Sequence, residues 1–453
     1  MGDDSFVCSS PDREFEFLSF PPAPSTDIIP LREVLYLDDQ KPSKSLENDL
    51  ITFRCSPLSE EQFKQMFDKE GRIIDEHAFR KAIFRGGVAP SIRSTVWAFL
   101  FDFYPCHSTS KEREAILKQR TARFYAIRRR WQTVMKQHFP TFDFRQPDNF
   151  IADGRPVYES FVNETDPLAA GSFSDSDFLK RDVNQIEAKI YAERLPCEVE
   201  PLLEALRYIS KDVPRTDRTH PYYVGDDNPH LLTLRDALLS FCVVHSGVGY
   251  VQGMNDILSR FFLVFDSEPF AFWCFTNYVE KMQRDFLAVG MVQKIEILQQ
   301  LVKKLDADLY NYLAESGMPE LIFCHKWLLL CFQREFSFDE GLRLLEIVST
   351  HHLELNTSEA RRAIESSRRI LMEKGMKFEC VGASAEYTFD LFICVAIMTL
   401  YRDEIFRCTD GSQIFQSMSK LSGELNLDQI LCQAERLFYS FCRRSVLDSF
   451  LLL

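Results

Sequence analysis

Apolar residues recur at spacings of three and four along most of the chain, which is the pattern of amphipathic helices. The spacing is clear in Leu202, Leu206 and Ile209, and it returns further along in Leu231 and Leu234. The pattern predicts further helices at Ser91–Phe103, Lys111–Met135, Asp177–Arg194, Ile257–Phe265, Pro269–Asp285, Val292–Leu313 and Glu320–Phe332. No internal repeat of 20 to 50 residues interrupts this series, so a solenoid is disfavoured. The chain is therefore predicted to be all-α.

The helical pattern breaks at the start of the chain and at two internal stretches, which sets the predicted domain organisation. The predicted parts are a flexible N-terminal extension at 1–58, a helical lead-in at 59–80, one large helical domain at 81–440 and a C-terminal tail at 441–453. Within the large domain, insertions are predicted at about 139–176 and 351–386.

Charge and cysteine usage narrow the class of protein. The chain has 453 residues, a formal net charge of −14 and a pI of about 5.3, so a nucleic-acid partner is not expected. The basic run at 128–130 is interpreted as a solvated helix face. Thirteen irregularly spaced cysteines without a Cys-x-x-Cys pair favour reduced thiols in an intracellular protein. The pair His351–His352 is interpreted as surface residues, and no metal site is predicted.

Targeting and cofactor signals give the remaining expectations. The start of the chain lacks the apolar core of a signal peptide, and no apolar run reaches the length of about 18 residues that spans a bilayer. We therefore expect a cytoplasmic protein without a transmembrane segment. The Gly-x4-Gly-Lys-Ser/Thr loop that cradles nucleotide phosphates is absent from the sequence, so no bound nucleotide or other cofactor is expected.

The first candidate functional segment carries Arg215. The helical stripe that ends in Ile209 should stop near Asp212, because Pro214 disfavours helical backbone at the residue before it. Arg215 would then sit on a short, stiff connection, where its planar, permanently charged guanidinium could enter another protein's site. Alternatively, Arg215 and Arg218 are surface cations that pair with nearby aspartates.

The second candidate segment carries Gln252. Glycines at 247, 249 and 253 bracket it and permit a tight turn, and its amide can both donate and accept hydrogen bonds. The glycine spacing differs from that of a dinucleotide-binding loop, and no strand pattern precedes it. The alternative interpretation is a plain helix–helix turn with an exposed glutamine.

Taken together, the two segments resemble the motif pair of the TBC family of Rab GTPase-activating proteins. The pair is Ile209-x-x-Asp212-x-x-Arg215 followed by Tyr250-x-Gln252-Gly253-Met254, and the family's third motif, Arg-x-x-x-Trp, stands upstream as Arg93 and Trp97. The resemblance covers roughly residues 80 to 440 and is strongest to the subgroup that contains TBC domain family member sixteen. Leu345 stands where the family's Arg-Leu-Trp-Glu helix has its tryptophan.

The resemblance implies a large helical domain of two subdomains and an enzyme activator that supplies groups in trans to a GTP-bound Rab. Arg215 matches the family's arginine finger and Gln252 its glutamine finger, while Asp212 and Tyr250 would support them. Arg93 and Trp97 would be structural, as would Gly253. Peripheral recruitment to endosomal or other vesicle membranes is implied by analogy. The alternative hypothesis is a non-catalytic scaffold that binds a Rab or other partners.

Overall fold

The computed structural model describes residues 54–139, 175–225, 228–352 and 387–450. These residues form α-helices joined by turns and short 3₁₀ helices, and no strand occurs within the described ranges. The prediction of an all-α fold is confirmed. Among the described helices, none is both long enough and apolar enough to cross a bilayer.

The α-helices are labelled here in chain order. They are α1 (Glu60–Gln65), α2 (Glu76–Gly86), α3 (Arg93–Leu100), α4 (Ser110–His138), α5 (Asp175–Arg194), α6 (Val199–Asp212), α7 (Pro229–Val244), α8 (Met254–Phe265), α9 (Glu268–Lys281), α10 (Ala288–Leu305), α11 (Ala307–Glu315), α12 (Ile322–Leu329), α13 (Phe338–Ser349), α14 (Phe389–Leu400), α15 (Arg402–Ile405), α16 (Gly411–Lys420) and α17 (Leu427–Phe450). Three 3₁₀ helices are described as well, at Pro90–Ile92, Val213–Arg215 and Gln283–Phe286.

The helices pack in two groups. In the first, α4 lies against α5, α7 and α9, and α8 lies against α7 and α9. In the second, α10 lies against α11, α12 and α14, and α14 also packs on the long helix α17. Helix α13 lies late in the chain but packs on α2 and α3, and α3 in turn packs on α8 and α9 of the first group. Two helical subdomains are therefore present. Helix α13 follows helices of the second subdomain in the chain but packs with the first.

Glu346 on α13 stabilises the packing of this helix against the first subdomain. Its side chain is fully buried, and its Oε1 accepts from Arg93 Nε at 2.7 Å and from Trp97 Nε1 at 2.9 Å. Its Oε2 accepts from the backbone N–H of Val88 at 2.9 Å. A buried carboxylate is tolerated when it is paired and hydrogen-bonded, so this cluster joins α13 to α3 and to the segment before it. Leu345, at the position of the family's tryptophan, is fully buried.

One local interpretation of the sequence is wrong. Arg128 is not on a solvated face, because α4 packs against α7 and α9 and places this guanidinium between Asp236 and Glu268. His351 and His352, interpreted as surface residues, are both half-buried, and the ring of His352 packs 4.8 Å from the ring of His77. At Arg128 the helix packing, which the local pattern does not contain, decides the burial.

Some predicted boundaries fall on residues that the structure does not describe. The extension at 1–58 lies mostly outside the described ranges, as do the two insertions at about 139–176 and 351–386. The predicted limit at 440 falls inside α17, which continues to Phe450, and the limit at 80 falls inside α2.

Candidate functional site

Arg215 lies on a rigid turn at the end of α6. The α-helix ends at Asp212, and Val213–Arg215 continue as one 3₁₀ turn that contains Pro214. The Arg215 side chain is 59% exposed, and its Nη2 donates to Asp212 Oδ1 at 2.5 Å. Asp212 itself is buried, so it holds Arg215 from behind while the rest of the guanidinium faces solvent.

Gln252 lies on the turn between α7 and α8, and Gly253 fixes that turn. Gly253 has φ 100°, and a Cβ atom built on it would come within 2.2 Å of Leu330 Cδ2. Both the backbone conformation and the space therefore require glycine at this position. The Gln252 side chain is exposed and makes no hydrogen bond within the described part of the chain.

A closed ring of hydrogen bonds joins the two turns. The Tyr250 hydroxyl donates to Asp212 Oδ2 at 2.6 Å and more weakly to Asn255 Oδ1 at 3.0 Å. Asn255 Nδ2 donates to Thr216 Oγ1 at 2.9 Å, and Thr216 Oγ1 donates to the Asp212 carbonyl at 3.0 Å. We call Asp212, Thr216, Tyr250 and Asn255 the polar ring. Because its members flank Arg215 and Gln252 in sequence, it sets the spacing of the two turns.

The two turns open into one cleft of about 520 Å³. Arg215 and Gln252 line it together with residues of the segment after α12. Its full lining is Arg215, Asp217, Gln252, Asp256, Arg260, Gln333, Arg334 and Phe336. The structure thus brings the two predicted finger residues to the same cleft.

Two further arginine–aspartate pairs belong to the lining of the cleft. Arg260 Nη1 lies 2.9 Å from Asp217 Oδ2, with its guanidinium stacked 3.8 Å from the centre of the Phe338 ring. Arg334 donates to Asp256 Oδ2 from Nε at 2.8 Å and from Nη2 at 2.5 Å. Every carboxylate that lines the cleft is therefore already paired with an arginine.

Burial sets the protonation of two groups at the site. It raises the pKa of Tyr250 far above its ordinary value, and the hydrogen bond to Asp212 acts in the same direction. Tyr250 therefore stays a hydroxyl donor at neutral pH. Burial also raises the pKa of Asp256, while the guanidinium groups of Arg334 and Arg260 oppose that rise.

The remaining sequence-predicted residues lie behind the cleft or away from it. Asp212 and Tyr250 belong to the polar ring, and Gly253 holds the turn of Gln252. Arg93 and Trp97 do not line the cleft, and both donate to Glu346 on α13.

The sequence interpretation missed several residues that build the site, among them Thr216, Asn255, Asp256 and Arg334. The first three had a detectable signal, since each lies within two residues of the end of one of the two motifs. Arg334 had no such signal, because it lies about 80 residues after the second motif, in a turn without a periodic pattern.

The chemistry available in this cleft is electrostatic. The lining residues include two partly exposed guanidinium groups, neutral amides and ion-paired carboxylates, with no serine, cysteine or histidine to act as nucleophile or free base. A guanidinium stabilises negative charge on phosphate oxygens, and an amide can orient a water molecule. The arrangement fits a site that contributes groups to a partner's reaction.

The family model of the Rab-GTPase-TBC domain matches residues 179–364 of this chain, a range that contains both turns. The solved structure of the Ypt/Rab-GAP domain of Gyp1p has the same fold. It aligns with a TM-score of 0.52 at 19% identity, over 85% of this chain and 97% of that chain. The chain contains a Rab-GTPase-TBC domain and belongs to the TBC family.

Three curated relatives show how far the similarity extends. TBC1 domain family member 25 of Homo sapiens is 31% identical over 67% of this chain and 36% of its own length. GTPase-activating protein GYP7 of Yarrowia lipolytica is 28% identical over 87% of this chain and 45% of its own. TBC1 domain family member 16 of Homo sapiens, the protein that names the predicted subgroup, is 27% identical over 82% and 37%. This chain thus spans about a third to a half of these relatives.

Proposed function

We propose that this protein is a GTPase-activating protein for a Rab-family small GTPase, with Arg215 as arginine finger and Gln252 as glutamine finger. One observation carries the proposal: the two side chains reach the same open cleft from two turns whose spacing is held by the polar ring. The name of the GYP7 relative, a GTPase-activating protein, supports the same activity.

Arg215 supplies positive charge where the reaction needs it. GTP hydrolysis builds negative charge on the phosphate oxygens, and an arginine supplied in trans raises the rate by roughly 10³- to 10⁵-fold. This corresponds to about 4–7 kcal/mol of the activation barrier. Asp212 holds one edge of the guanidinium, so the other N–H groups face outward. An ion pair that involves so exposed an arginine is worth only about 0.2–1 kcal/mol, so a phosphate can readily replace Asp212 as the partner of Arg215.

Gln252 supplies the group that orients the attacking water. Its amide oxygen can accept from the water while its amide nitrogen donates to a phosphate or backbone oxygen. Since the side chain makes no hydrogen bond elsewhere in the described part of the chain, it is available for this role without breaking a contact. Magnesium and GTP are contributed by the GTPase, because this sequence has no phosphate-binding loop of its own.

The partner in this proposal is the GTP-bound form of a Rab, and the consequence is the control of vesicle traffic. The match to a Rab-GTPase-TBC domain supports the choice of partner. We place the protein in the cytoplasm, with peripheral recruitment to endosomal or other vesicle membranes where its GTPase resides. This proposed cellular location rests on the resemblance to the family.

The test is single-turnover GTP hydrolysis by a panel of Rabs with the wild-type protein, Arg215→Lys and Gln252→Ala. We expect acceleration of at least one Rab and a loss of about 10³-fold or more with Arg215→Lys, because lysine cannot present a planar fork. The matched control is Arg402→Lys, since Arg402 is also partly exposed and paired, with Asp306 at 2.8 Å, but lies outside the cleft. Acceleration of no Rab by the wild-type protein would refute the proposal.

Binding of a GTP-loaded Rab without acceleration would instead assign the scaffold role. In that outcome Arg215→Lys and wild type would behave alike in the hydrolysis assay and in cells.

A further inference from the structure

The cleft contains a second arginine that is built in the same way as Arg215. Arg334 is 48% exposed and Arg215 is 59% exposed, and each donates at 2.5 Å to a largely buried aspartate behind it. The two supporting aspartates, Asp256 and Asp212, are also connected, because Asn255 donates to Asp256 Oδ1 at 3.0 Å and accepts from the tyrosine that binds Asp212. One buried network therefore holds two outward-facing guanidinium groups in a single cleft.

The backbone at Arg334 is held on both sides, so this guanidinium has a defined position. The N–H of Gly423 donates to the Glu335 carbonyl at 2.9 Å, and Ser422 donates to the carbonyl of Arg334 itself. On the other side, Gln333 Nε2 donates to the Gly341 carbonyl at 2.9 Å. A preorganised cation loses less side-chain entropy when it binds an anion than a flexible one does.

Arg334 also has donors to spare. A guanidinium carries five N–H groups, and Asp256 engages only Nε and Nη2 of Arg334. Nη1 donates to no acceptor within the described residues. In contrast, Arg260, which lines the same cleft, is buried and stacked on Phe338, so its donors do not face outward. Arg334 and Arg215 are the two lining arginines with free, exposed donors.

We propose that Arg334 binds an anionic oxygen of the GTPase–nucleotide complex, as a second arginine of the site. This inference rests on the proposed function. Two anionic oxygens have the required chemistry: a carboxylate of the GTPase and a phosphate oxygen of its nucleotide. Either oxygen would accept a hydrogen bond from Arg334 Nη1 in place of solvent, while Nε and Nη2 continue to donate to Asp256.

Arg334 is also the counter-ion of Asp256, and the test separates that structural contribution from binding. Arg334→Lys keeps a positive charge beside the buried carboxylate, so a purely structural arginine would be replaced with little effect. A lysine that pairs with Asp256 no longer offers a planar fork toward the partner. Arg402→Lys is the matched control, because it makes the same change in a partly exposed arginine paired with Asp306 outside the cleft.

The experiment uses the full chain and a Rab that the wild type accelerates, and it measures the half-saturating concentration and the maximal single-turnover rate. It also measures binding of this Rab loaded with a non-hydrolysable GTP analogue or with GDP and aluminium fluoride. We expect Arg334→Lys to weaken the interaction by about tenfold or more, as for a lost charge-assisted hydrogen bond, with unchanged unfolding by urea. Arg402→Lys should match wild type.

The two anion sources give different results, and both support the proposal. A GTPase carboxylate predicts a higher half-saturating concentration, an unchanged maximal rate and equal weakening of both complexes. A phosphate oxygen predicts a lower maximal rate and selective weakening of the aluminium fluoride complex. If wild type accelerates the Rab and Arg334→Lys equals Arg402→Lys, this inference is wrong and the proposed function stands. If wild type neither accelerates nor binds any Rab, both are overturned.

Discussion

Replacing Thr216 with valine would test whether the polar ring serves catalysis or only stability. Valine has nearly the shape of threonine and removes one hydroxyl group. That hydroxyl donates to the Asp212 carbonyl at 3.0 Å and accepts from Asn255 Nδ2 at 2.9 Å, so the ring opens at two places. Thr216→Ser keeps the hydroxyl and is the matched control.

The size of the expected effect follows from these two contacts. Each buried polar group left without a partner costs about 1–3 kcal/mol of folding stability. Asp212 and Thr216 are both buried, so solvent does not readily replace the bonds that the valine removes. For the reaction, a displacement of about 1 Å of a reacting group can cost about 10²-fold in rate. We therefore expect both a less stable protein and a lower maximal single-turnover rate.

The assay is a double-mutant cycle in single-turnover hydrolysis, accompanied by urea unfolding of each variant. If Thr216 acts by holding Arg215, Thr216→Val should slow the wild type markedly and should have little further effect when Arg215 is already alanine. A variant that is destabilised but hydrolyses GTP at the full maximal rate would refute the reasoning. So would a rate loss that persists undiminished in the Arg215→Ala background.

Two further predictions concern the turn of Gln252 and the response to acid. Gly253→Ala should lower both the stability of the protein and the rate of GTP hydrolysis. A φ of 100° costs an L-residue about 1–2 kcal/mol, and the added Cβ would contact Leu330. In unfolding and hydrolysis assays, a second substitution, Leu330→Ala, should restore part of the loss. Burial, with the nearby His77 adding repulsion, lowers the pKa of His352 to about 4. Since an unfolded histidine titrates near 6.5, the unfolded state binds the extra proton first, and stability should fall as the pH drops from about 6.5 toward 4. His352→Phe should flatten that part of the stability curve, measured by urea unfolding at each pH, and an unchanged slope would contradict the assignment.

The sequence predicted the helical class and the two turns because both depend on local patterns. Pro214 ends α6 where it stops helices in general, and Gly253 marks a turn that only glycine can form. The predicted helix Val292–Leu313 is divided at Asp306, whose side chain caps α11 by accepting from Leu309 N at 3.0 Å. The periodic pattern of apolar residues continues across Asp306, so a prediction from periodicity alone misses the helix boundary that this capping residue marks.

What the sequence could not predict depends on contacts between distant segments. Arg128 was interpreted as solvated because a run of three arginines is usually exposed, yet Asp236 pairs with it from a helix more than a hundred residues away. Likewise, nothing near Arg334 in sequence points to Asp256, 78 residues earlier. Burial and pairing of this kind follow from how helices are arranged, and local spacing does not determine that arrangement.

The position of Glu346 has a consequence for where an independent folding unit of this protein begins. The family model covers residues 179–364, so a fragment cut to those limits keeps Glu346 and loses all three of its donors, at Val88, Arg93 and Trp97. An unpaired buried carboxylate costs about 3–5 kcal/mol, a large part of the stability of an average domain. We expect that fragment to fail a cooperative urea transition and one beginning at residue 54 to show it. On this expectation, the unit that folds is longer than the stretch that the family model delimits.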